Sequence, residues 1–246
     1  LFKFNLMVRK SVKSIVKKVI FPITLNQKYD KQTKQIMKIV LENNSTFIDV
    51  GCHKGEVLVN AIKFAPNGKH FAFEPIPSMY EKLNYKFGNS CEVRNFGLSD
   101  ESKISSFQHV VSNPAFSGIK QRSYPKGEKI NTIEIQLDTL DNQVKGHDRV
   151  DLIKIDVEGG ELGVLKGAVN TIRKFHPVIV FEHGLGASDY YNTGPLDVFE
   201  FFEKHNYRLF TLKGFIDNKE PLDLVNFQEM YSTNKEYYFL AKLKVL

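Results

Sequence analysis

A glycine turn between two short apolar runs is the feature that most constrains the fold of this chain. The first run, 46–50, leads into Gly51 and Gly55, and the next run, 70–74, stops on Glu74. In Rossmann-type sheets a glycine turn lets the backbone approach a ribose-bearing cofactor, and an acid at the end of the second strand accepts hydrogen bonds from the ribose hydroxyls. The pattern predicts a parallel α/β sheet that binds a nucleoside cofactor.

The composition of the turn indicates which cofactor it suits. Gly51 and Gly55 do not have the spacing of the dinucleotide-binding G-x-G-x-x-G sequence. Asp49 stands just before the turn, where its carboxylate would repel a pyrophosphate but attract an amino group or a sulfonium. We therefore predict S-adenosylmethionine as the cofactor, with Asp49 among its binding residues. His53 adds a titratable group beside the cofactor to which the sequence assigns no role.

Apolar runs alternate with helical stretches along the chain, as is typical of a sheet with helices on both faces. The predicted strands are 46–50, 70–74, 91–98, 150–155, 178–181, 207–212 and 236–243, and the predicted helices are 31–42, 56–65, 77–88, 161–175 and 195–205. This is a Rossmann-like α/β sheet of seven strands. No helix of crossover length separates the last two strands, so the last strand is expected to be antiparallel. Residues 102–140 break the alternation and predict a β-hairpin-like insertion, whose loop 112–127 we expect to shape the acceptor pocket.

Basic residues are concentrated at the start of the chain. The net charge is +6, yet residues 1–29 contain seven lysines and arginines and no acid, which leaves the rest nearly neutral. We divide the chain into a basic arm or helix, 1–30, and a single domain, 31–246. The favoured interpretation of the arm is a helix packed on the domain, and the other is peripheral contact of residues 1–20 with an anionic membrane. The body has no basic stripe with interleaved aromatic residues, so no nucleic-acid partner is expected.

The stretch 151–161 places charged residues at the end of an otherwise apolar strand. Alternation puts Lys154 and Asp156 on one face at its carboxyl end, with Glu158 in the following turn. Ligands of open α/β sheets bind at this edge, which His183 of the next strand would also reach. The acids expected there are Asp49, Glu74, Asp156, Glu158 and Glu182. Such a group requires a cation, which a sulfonium, a metal ion or Lys154 can supply.

The expected chemistry at this edge is proton removal from an acceptor hydroxyl. Asp156 and His183 are the candidate bases, and Glu158 or Glu182 would orient the base or the acceptor. Alternatively, Asp156 and Glu182 could hold a divalent ion such as Mg²⁺ that lowers the pKa of the hydroxyl. No residue spacing favours that alternative, so the sequence predicts no metal.

The glycine turn and the acidic strand end, in this order, resemble the FkbM family of S-adenosylmethionine-dependent methyltransferases. The segments that carry the resemblance are 47–51 with Gly55, 73–75, 98–100, 137–140, 151–159, 164–168 and the strand that ends in Glu182. The resemblance implies a seven-stranded class I methyltransferase fold and methyl transfer, usually to a hydroxyl oxygen. It also implies Gly51 and Gly55 as the cofactor loop, Glu74 as the ribose ligand, and Gly97 and Leu98 as neighbours of the adenine.

The expected activity is therefore O-methylation of a hydroxyl on a sugar, a glycan or a small metabolite. Two alternatives stay open at this point: an NAD(P)-dependent Rossmann oxidoreductase, and a binding domain that holds the cofactor without catalysis. Cys52 and Cys91 do not make a disulfide framework, so a cytoplasmic location is expected, with membrane association if the arm binds lipid. The sequence does not indicate an oligomeric state.

Overall fold

The computed structural model of this protein describes residues 24–124 and 126–244. The predicted arm therefore lies outside the described residues up to residue 23, including the segment 1–20 considered for membrane contact. Within the described ranges, no helix combines the length and the apolar character needed to cross a membrane.

The main sheet has seven strands in the order β3-β2-β1-β7-β8-β10-β9. The strands are β1 (Phe47–Val50), β2 (Phe71–Phe73), β3 (Glu92–Arg94), β4 (Gly97–Leu98), β5 (Lys103–Val110), β6 (Ile130–Asp138), β7 (Leu152–Ile155), β8 (Val178–Glu182), β9 (Tyr207–Thr211) and β10 (Tyr238–Leu243). Neighbouring strands from β3 to β8 are parallel, whereas β10 is antiparallel to both β8 and β9. The predicted seven-stranded sheet with an antiparallel last strand is confirmed.

Helices flank this sheet and connect its parallel strands. They are α1 (Leu25–Val40), α2 (Leu58–Phe64), α3 (Pro77–Phe87), α4 (Leu140–Gln143), α5 (Glu161–Lys166), α6 (Val169–Phe175), α7 (Pro195–Lys204), α8 (Leu212–Ile216) and α9 (Leu224–Ser232). The helix α1 begins earlier than the predicted start at residue 31, because Thr24 and Gln27 form a capping box. Ile36 and Met37 on this helix are buried, whereas Ile39 is 59% exposed. The short helices α8 and α9 were not predicted.

Two predicted elements are each divided in the structure. The predicted strand 91–98 is separated into β3 and β4 because the side chain of Asn95 donates hydrogen bonds to the backbone oxygens of Glu74 and Pro75 and turns the chain away from the main sheet. The predicted helix 161–175 is interrupted at Gly167. A Cβ atom on Gly167 would lie 2.0 Å from the carbonyl oxygen of Ser99, so the chain passes too close to that segment for a side chain.

The predicted insertion forms a second, smaller sheet. The strands β5 and β6 make an antiparallel hairpin from Lys103 to Asp138, as predicted, and β4 joins β6 in parallel. Phe107, Ile135 and Leu137 are buried against Ile76, a residue shortly after strand β2 of the main sheet. This packing places the hairpin beside the carboxyl ends of β1 and β2.

Alternation along β1 and β7 sorts their side chains onto two faces of the sheet. Ile48 and Ile153 point into the core on one face, and Phe47 and Leu152 into the core on the other. Complete burial of such side chains stabilises the fold by about 1.5–3 kcal/mol each. Asp49 is two residues after Phe47 and thus shares its face, where a buried charge requires a partner.

Candidate active site

A cavity of about 550 Å³ opens at the carboxyl ends of β1, β2 and β7. Its size is within the range of small-molecule sites. The predicted site residues that line it are Asp49, Gly51, His53, Glu74, Gly97, Leu98, Asp156 and Glu158. The structure thus brings together the glycine turn, the distant glutamate and the acidic strand end, as expected from their common edge of the sheet.

Gly51 allows β1 and β7 to approach each other at the base of the cavity. Its φ is +75°, and a Cβ atom there would lie 1.9 Å from the carbonyl oxygen of Asp156. Its backbone N–H donates a hydrogen bond to the oxygen of Phe73 on β2 at 3.1 Å. Only glycine meets both requirements, so Gly51 fixes the spacing of three strand ends around the cavity.

The rest of the turn acts through its backbone and its packing. Gly55 has a φ of +71° and packs against α3, where a Cβ atom would lie 2.5 Å from the ring of Phe87. It does not line the cavity, in contrast to the role that the resemblance implies. The Nε2 atom of His53 is buried without a hydrogen-bond partner among the described residues, and burial lowers the pKa of its ring.

Glu74 is held in place by backbone donors. Its Oε1 accepts a hydrogen bond from the N–H of Ile76 at 3.0 Å, and its Oε2 accepts one from the N–H of His53 at 3.1 Å. Burial raises the pKa of Glu74 to about 7, although these two donors favour the ionised form. Each oxygen keeps a free lone pair, so the carboxylate can accept further hydrogen bonds from a ligand diol.

Asp49 and Lys154 form a buried charge pair below the turn. They are direct neighbours in the register of β1 and β7, and Nζ of Lys154 lies 3.7 Å from Oδ1 of Asp49. Asp49 is 1% exposed, and neither of its oxygens accepts a hydrogen bond from the described residues. Burial raises its pKa to about 6, with Lys154 opposing the shift. Asp49 thus offers an unsatisfied acceptor to a cationic or hydrogen-bonding ligand.

Asp156 is held in its ionised form, unlike the other acids of the cavity, Asp49, Glu74 and Glu158. Its Oδ2 lies 3.0 Å from Nζ of Lys154 and accepts a hydrogen bond from the hydroxyl of Tyr238. Burial would raise the pKa of Asp156, but Lys154 and Tyr238 outweigh it and hold the pKa below its ordinary value. A carboxylate held in this way orients a donor more readily than it takes up a proton.

Glu158 reaches the cavity because the backbone after β7 turns sharply. Its φ is +61° and that of the next residue, Gly159, is +108°. A Cβ atom on Gly159 would lie 2.4 Å from the oxygen of Ala187, so the turn requires glycine there. The buried Glu161 holds the same turn, since its Oε1 accepts hydrogen bonds from the N–H groups of Val157 and Gly159.

Arg122 from the hairpin loop binds the carboxylate of Glu158. Its guanidinium also donates hydrogen bonds to the backbone oxygens of Phe116 and Gly186. Burial and the nearby Asp156 raise the pKa of Glu158 above its ordinary value, and Arg122 partly opposes this. Glu158 is therefore an acid with a raised pKa on the cavity wall, as suits a group that exchanges protons near neutral pH.

His183 is not brought to the cavity, although it follows β8 directly. Its side chain is 1% exposed and stacks on Tyr231 at 4.8 Å and on Phe227 at 5.8 Å between ring centroids. Burial lowers its pKa to about 4. The ring is neutral and enclosed by aromatic residues, so the structure gives it no contact with a substrate in the cavity.

Three carboxylates meet beside the cavity. Oxygen atoms of Asp156, Glu158 and Glu182 lie within 4.8 Å of one another, close enough to hold a metal ion together. Burial, then Asp156 and Glu158, raise the pKa of Glu182 well above its ordinary value. Since Lys154 and Arg122 already pair with Asp156 and Glu158, a neutral Glu182 is an alternative to a bound cation.

Several lining or supporting residues were not singled out from the sequence. They are Tyr29, Asp30, Glu56, Arg122, Tyr191 and Tyr238. Tyr238 could have been found, because an antiparallel last strand beside β8 begins at the edge where the acids end, and it pairs with Glu182. Arg122 had no such signal, since its place depends on how the loop packs. Of the loop 112–127, which was expected to shape the acceptor pocket, Pro114, Ala115, Ser117 and Ile119 line the cavity, whereas Phe116 and Tyr124 do not.

The cavity suits the cofactor predicted from the sequence. Glu74 presents a carboxylate with free lone pairs, as a ribose diol requires, and Gly97 and Leu98 form an adjoining wall. Asp49 presents two unsatisfied oxygens, as an amino group or a sulfonium requires. Gly51 lines the cavity with its backbone. These features match S-adenosylmethionine in both charge and hydrogen bonding.

Comparison with known proteins agrees with this assignment. The chain is 27% identical over 166 residues to the AMB antimetabolite synthetase AmbE of Pseudomonas aeruginosa, a match over 52% of this chain and 8% of that protein. It is 29% identical over 157 residues to the hexuronic acid methyltransferase AglP of Haloferax volcanii, over 61% of this chain and 62% of AglP. The chain thus matches less than two thirds of the length of either curated relative.

A solved structure and a family model complete the comparison. The FkbM methyltransferase of Methylobacillus flagellatus superposes with a TM-score of 0.52 at 16% identity, over 82% of this chain and 44% of the other, which shows a shared fold. The model of the methyltransferase FkbM domain matches residues 49–209, a range that contains the glycine turn, Glu74, Asp156 and Glu158. The chain therefore belongs to the FkbM family of methyltransferases, whose methyl donor is S-adenosylmethionine.

Proposed function

We propose that this methyltransferase transfers its methyl group to a hydroxyl oxygen of a saccharide. The observation that carries the proposal is the position of Asp156 and Glu158, two carboxylates that share one cavity with Glu74 and the glycine turn. A hydroxyl acceptor needs a group that removes its proton, and the acidic side of the cavity supplies one. The relative AglP, which is named for a hexuronic acid, supports a sugar acceptor. Membership of the FkbM family leaves no support for the oxidoreductase alternative.

Different residues of the cavity have different roles in the proposed reaction. Glu74 would bind the ribose hydroxyls, and Asp49 would accept a hydrogen bond from the amino group of the cofactor. When bound, S-adenosylmethionine supplies an electrophilic methyl group. Glu158 takes the proton of the acceptor hydroxyl, because its raised pKa makes it the stronger base of the two acids on the wall. Asp156, kept ionised by Lys154 and Tyr238, orients the acceptor through a hydrogen bond.

Methyl transfer from radiolabelled cofactor to a panel of saccharides and small hydroxyl-bearing metabolites tests the proposal. We expect label in a methyl ether of a saccharide. Binding of S-adenosylhomocysteine without transfer to any acceptor would instead identify a non-catalytic cofactor-binding domain. Label on nitrogen or carbon would show that the acceptor atom is not a hydroxyl oxygen.

The substitution Glu74→Gln tests the cofactor side of the cavity. Hydrogen bonds to a charged group contribute about 1.5–3 kcal/mol, so we expect the Kd of S-adenosylhomocysteine to increase roughly 10- to 100-fold. Isothermal titration calorimetry measures this change. Glu81→Gln, at an exposed position on α3, is the matched control and should bind as the wild type does. An unchanged Kd for Glu74→Gln would remove Glu74 from the ribose site.

A further inference from the structure

Two exposed acidic side chains stand at the mouth of the cavity. Asp30 on α1 and Glu56 after the glycine turn are exposed and line the cavity together with Asp156. Partial burial, then Glu56, raise the pKa of Asp30, and Asp156 adds to the shift while Lys154 opposes it. These acids therefore lie close enough to act on one another, and together they place negative charge along the path of an acceptor.

The nearby cations already form ion pairs with other acids. Lys154 pairs with Asp49 and Asp156, and Arg122, behind the wall, pairs with Glu158. Among the cavity-lining residues of the described ranges, the other lysine or arginine is Lys166, at the exposed end of α5. The residue after it, Gly167, packs on the backbone of Ser99, so Lys166 belongs to the Gly97–Leu98 side of the cavity.

At the deep end of the cavity, Asp49 also calls for positive charge or hydrogen-bond donors, which the bound cofactor would supply there. Asp49 is almost completely buried, lines the cavity, and has two oxygens without a donor among the described residues. Among the described residues, carboxylates thus line the cavity from Asp30 and Glu56 at its mouth to Asp49 at its base. On the side of Asp30 and Glu56, an anionic acceptor would meet carboxylates and, among the cavity-lining residues that the structure describes, no unpaired cation, whereas hydroxyl and ammonium groups would find acceptors.

Building on the sugar O-methyltransferase function proposed above, we infer that the acceptor carries no carboxylate, phosphate or sulfate near its reacting hydroxyl, and that amino sugars are the favoured class. The chain would then differ in acceptor from the hexuronic acid methyltransferase it resembles. The residues that impose this selection are Asp30 and Glu56 at the mouth and Asp156 at the wall. Because Asp30 and Glu56 are exposed, their contribution should weaken as salt is added.

Three matched acceptors test this inference: methyl glucoside, methyl glucosaminide and methyl glucuronide. Two measurements are made on each, transfer of labelled methyl groups and calorimetric binding to the protein loaded with S-adenosylhomocysteine. We expect the glucosaminide to be at least as good as the glucoside, and the glucuronide to show a kcat/KM more than about tenfold lower and a correspondingly weaker Kd. Added salt should reduce the difference in kcat/KM and in Kd between the glucoside and the glucuronide.

Charge-neutral variants test whether Asp30 and Glu56 cause the discrimination against the glucuronide. The double variant Asp30→Asn with Glu56→Gln should reduce the discrimination against the glucuronide, whereas Glu134→Gln on the exposed face of β6 should leave it unchanged. Equal or better use of the glucuronide by the wild type would overturn the inference while leaving the proposed function intact. Absence of transfer to all three sugars, with S-adenosylhomocysteine still bound, would overturn the proposed sugar acceptor itself and with it this inference.

Discussion

Replacing Lys154 by methionine is expected to lower the free energy of unfolding by about 3–5 kcal/mol, the usual cost of leaving a buried charge without its partner. Lys154 is buried between Asp49 and Asp156, at 3.7 and 3.0 Å. Methionine fills a similar volume, so the loss reports the charge rather than a cavity. Urea denaturation followed by circular dichroism measures it. The matched control, Lys166→Met, removes an exposed lysine and should stay within about 0.5 kcal/mol of the wild type.

The pH dependence of this loss identifies its cause. The pKa of Asp49 in the folded protein, about 6, is above its value in an unfolded chain, so protonation favours the folded state. Without Lys154 the pKa of Asp49 in the folded protein rises further. The difference in unfolding free energy between the wild type and the variant should therefore shrink as pH falls from about 8 to about 5. Adding Asp49→Asn to Lys154→Met should recover part of the stability. A loss below about 1 kcal/mol at pH 8 would contradict the buried-pair account.

The sheet could be predicted from the sequence because its signals are local. The apolar runs that became β1, β2 and β7 have strand length and end at turn residues. The antiparallel direction of β10 was predicted correctly from a connection thought to lack helices, although α8 and α9 lie in that connection. The separation of β3 from β4 had no local signal. It depends on hydrogen bonds from Asn95 to the backbone after β2, which form only when the sheet has assembled.

The residues of the candidate site likewise differ in whether the sequence alone could place them. The residues at strand ends, such as Glu74 and Asp156, were placed at the cavity by the geometry of parallel sheets alone. His183 stands at a strand end too, yet its ring stacks on Phe227 and Tyr231 of α9, a helix that the sequence pattern did not reveal. Strand position predicts the edge that a residue reaches, but the elements packed against that edge decide whether its side chain faces a ligand or the core.

Replacing Glu158 by glutamine is expected to lower kcat by roughly 10²- to 10⁴-fold, the usual contribution of a general base. Glutamine keeps the length of the side chain and can still accept a hydrogen bond from Arg122, so the turn should persist. Single-turnover transfer of labelled methyl groups measures the chemical step. The Kd of S-adenosylhomocysteine should stay within a few-fold of the wild-type value, which separates a lost base from a lost fold.

The pH profile distinguishes a base from a residue that only orients the acceptor. In the wild type, at saturating cofactor, kcat/KM for the acceptor should rise with pH as Glu158 loses its proton, through a pKa above the ordinary glutamate value. This rising limb of the pH profile should be absent in Glu158→Gln. Asp156→Asn should lower the rate but retain the limb, because the pKa of Asp156 is held low by Lys154. If the limb instead disappears in Asp156→Asn and persists in Glu158→Gln, the two carboxylates exchange roles, and Asp156 is the base despite its paired lysine.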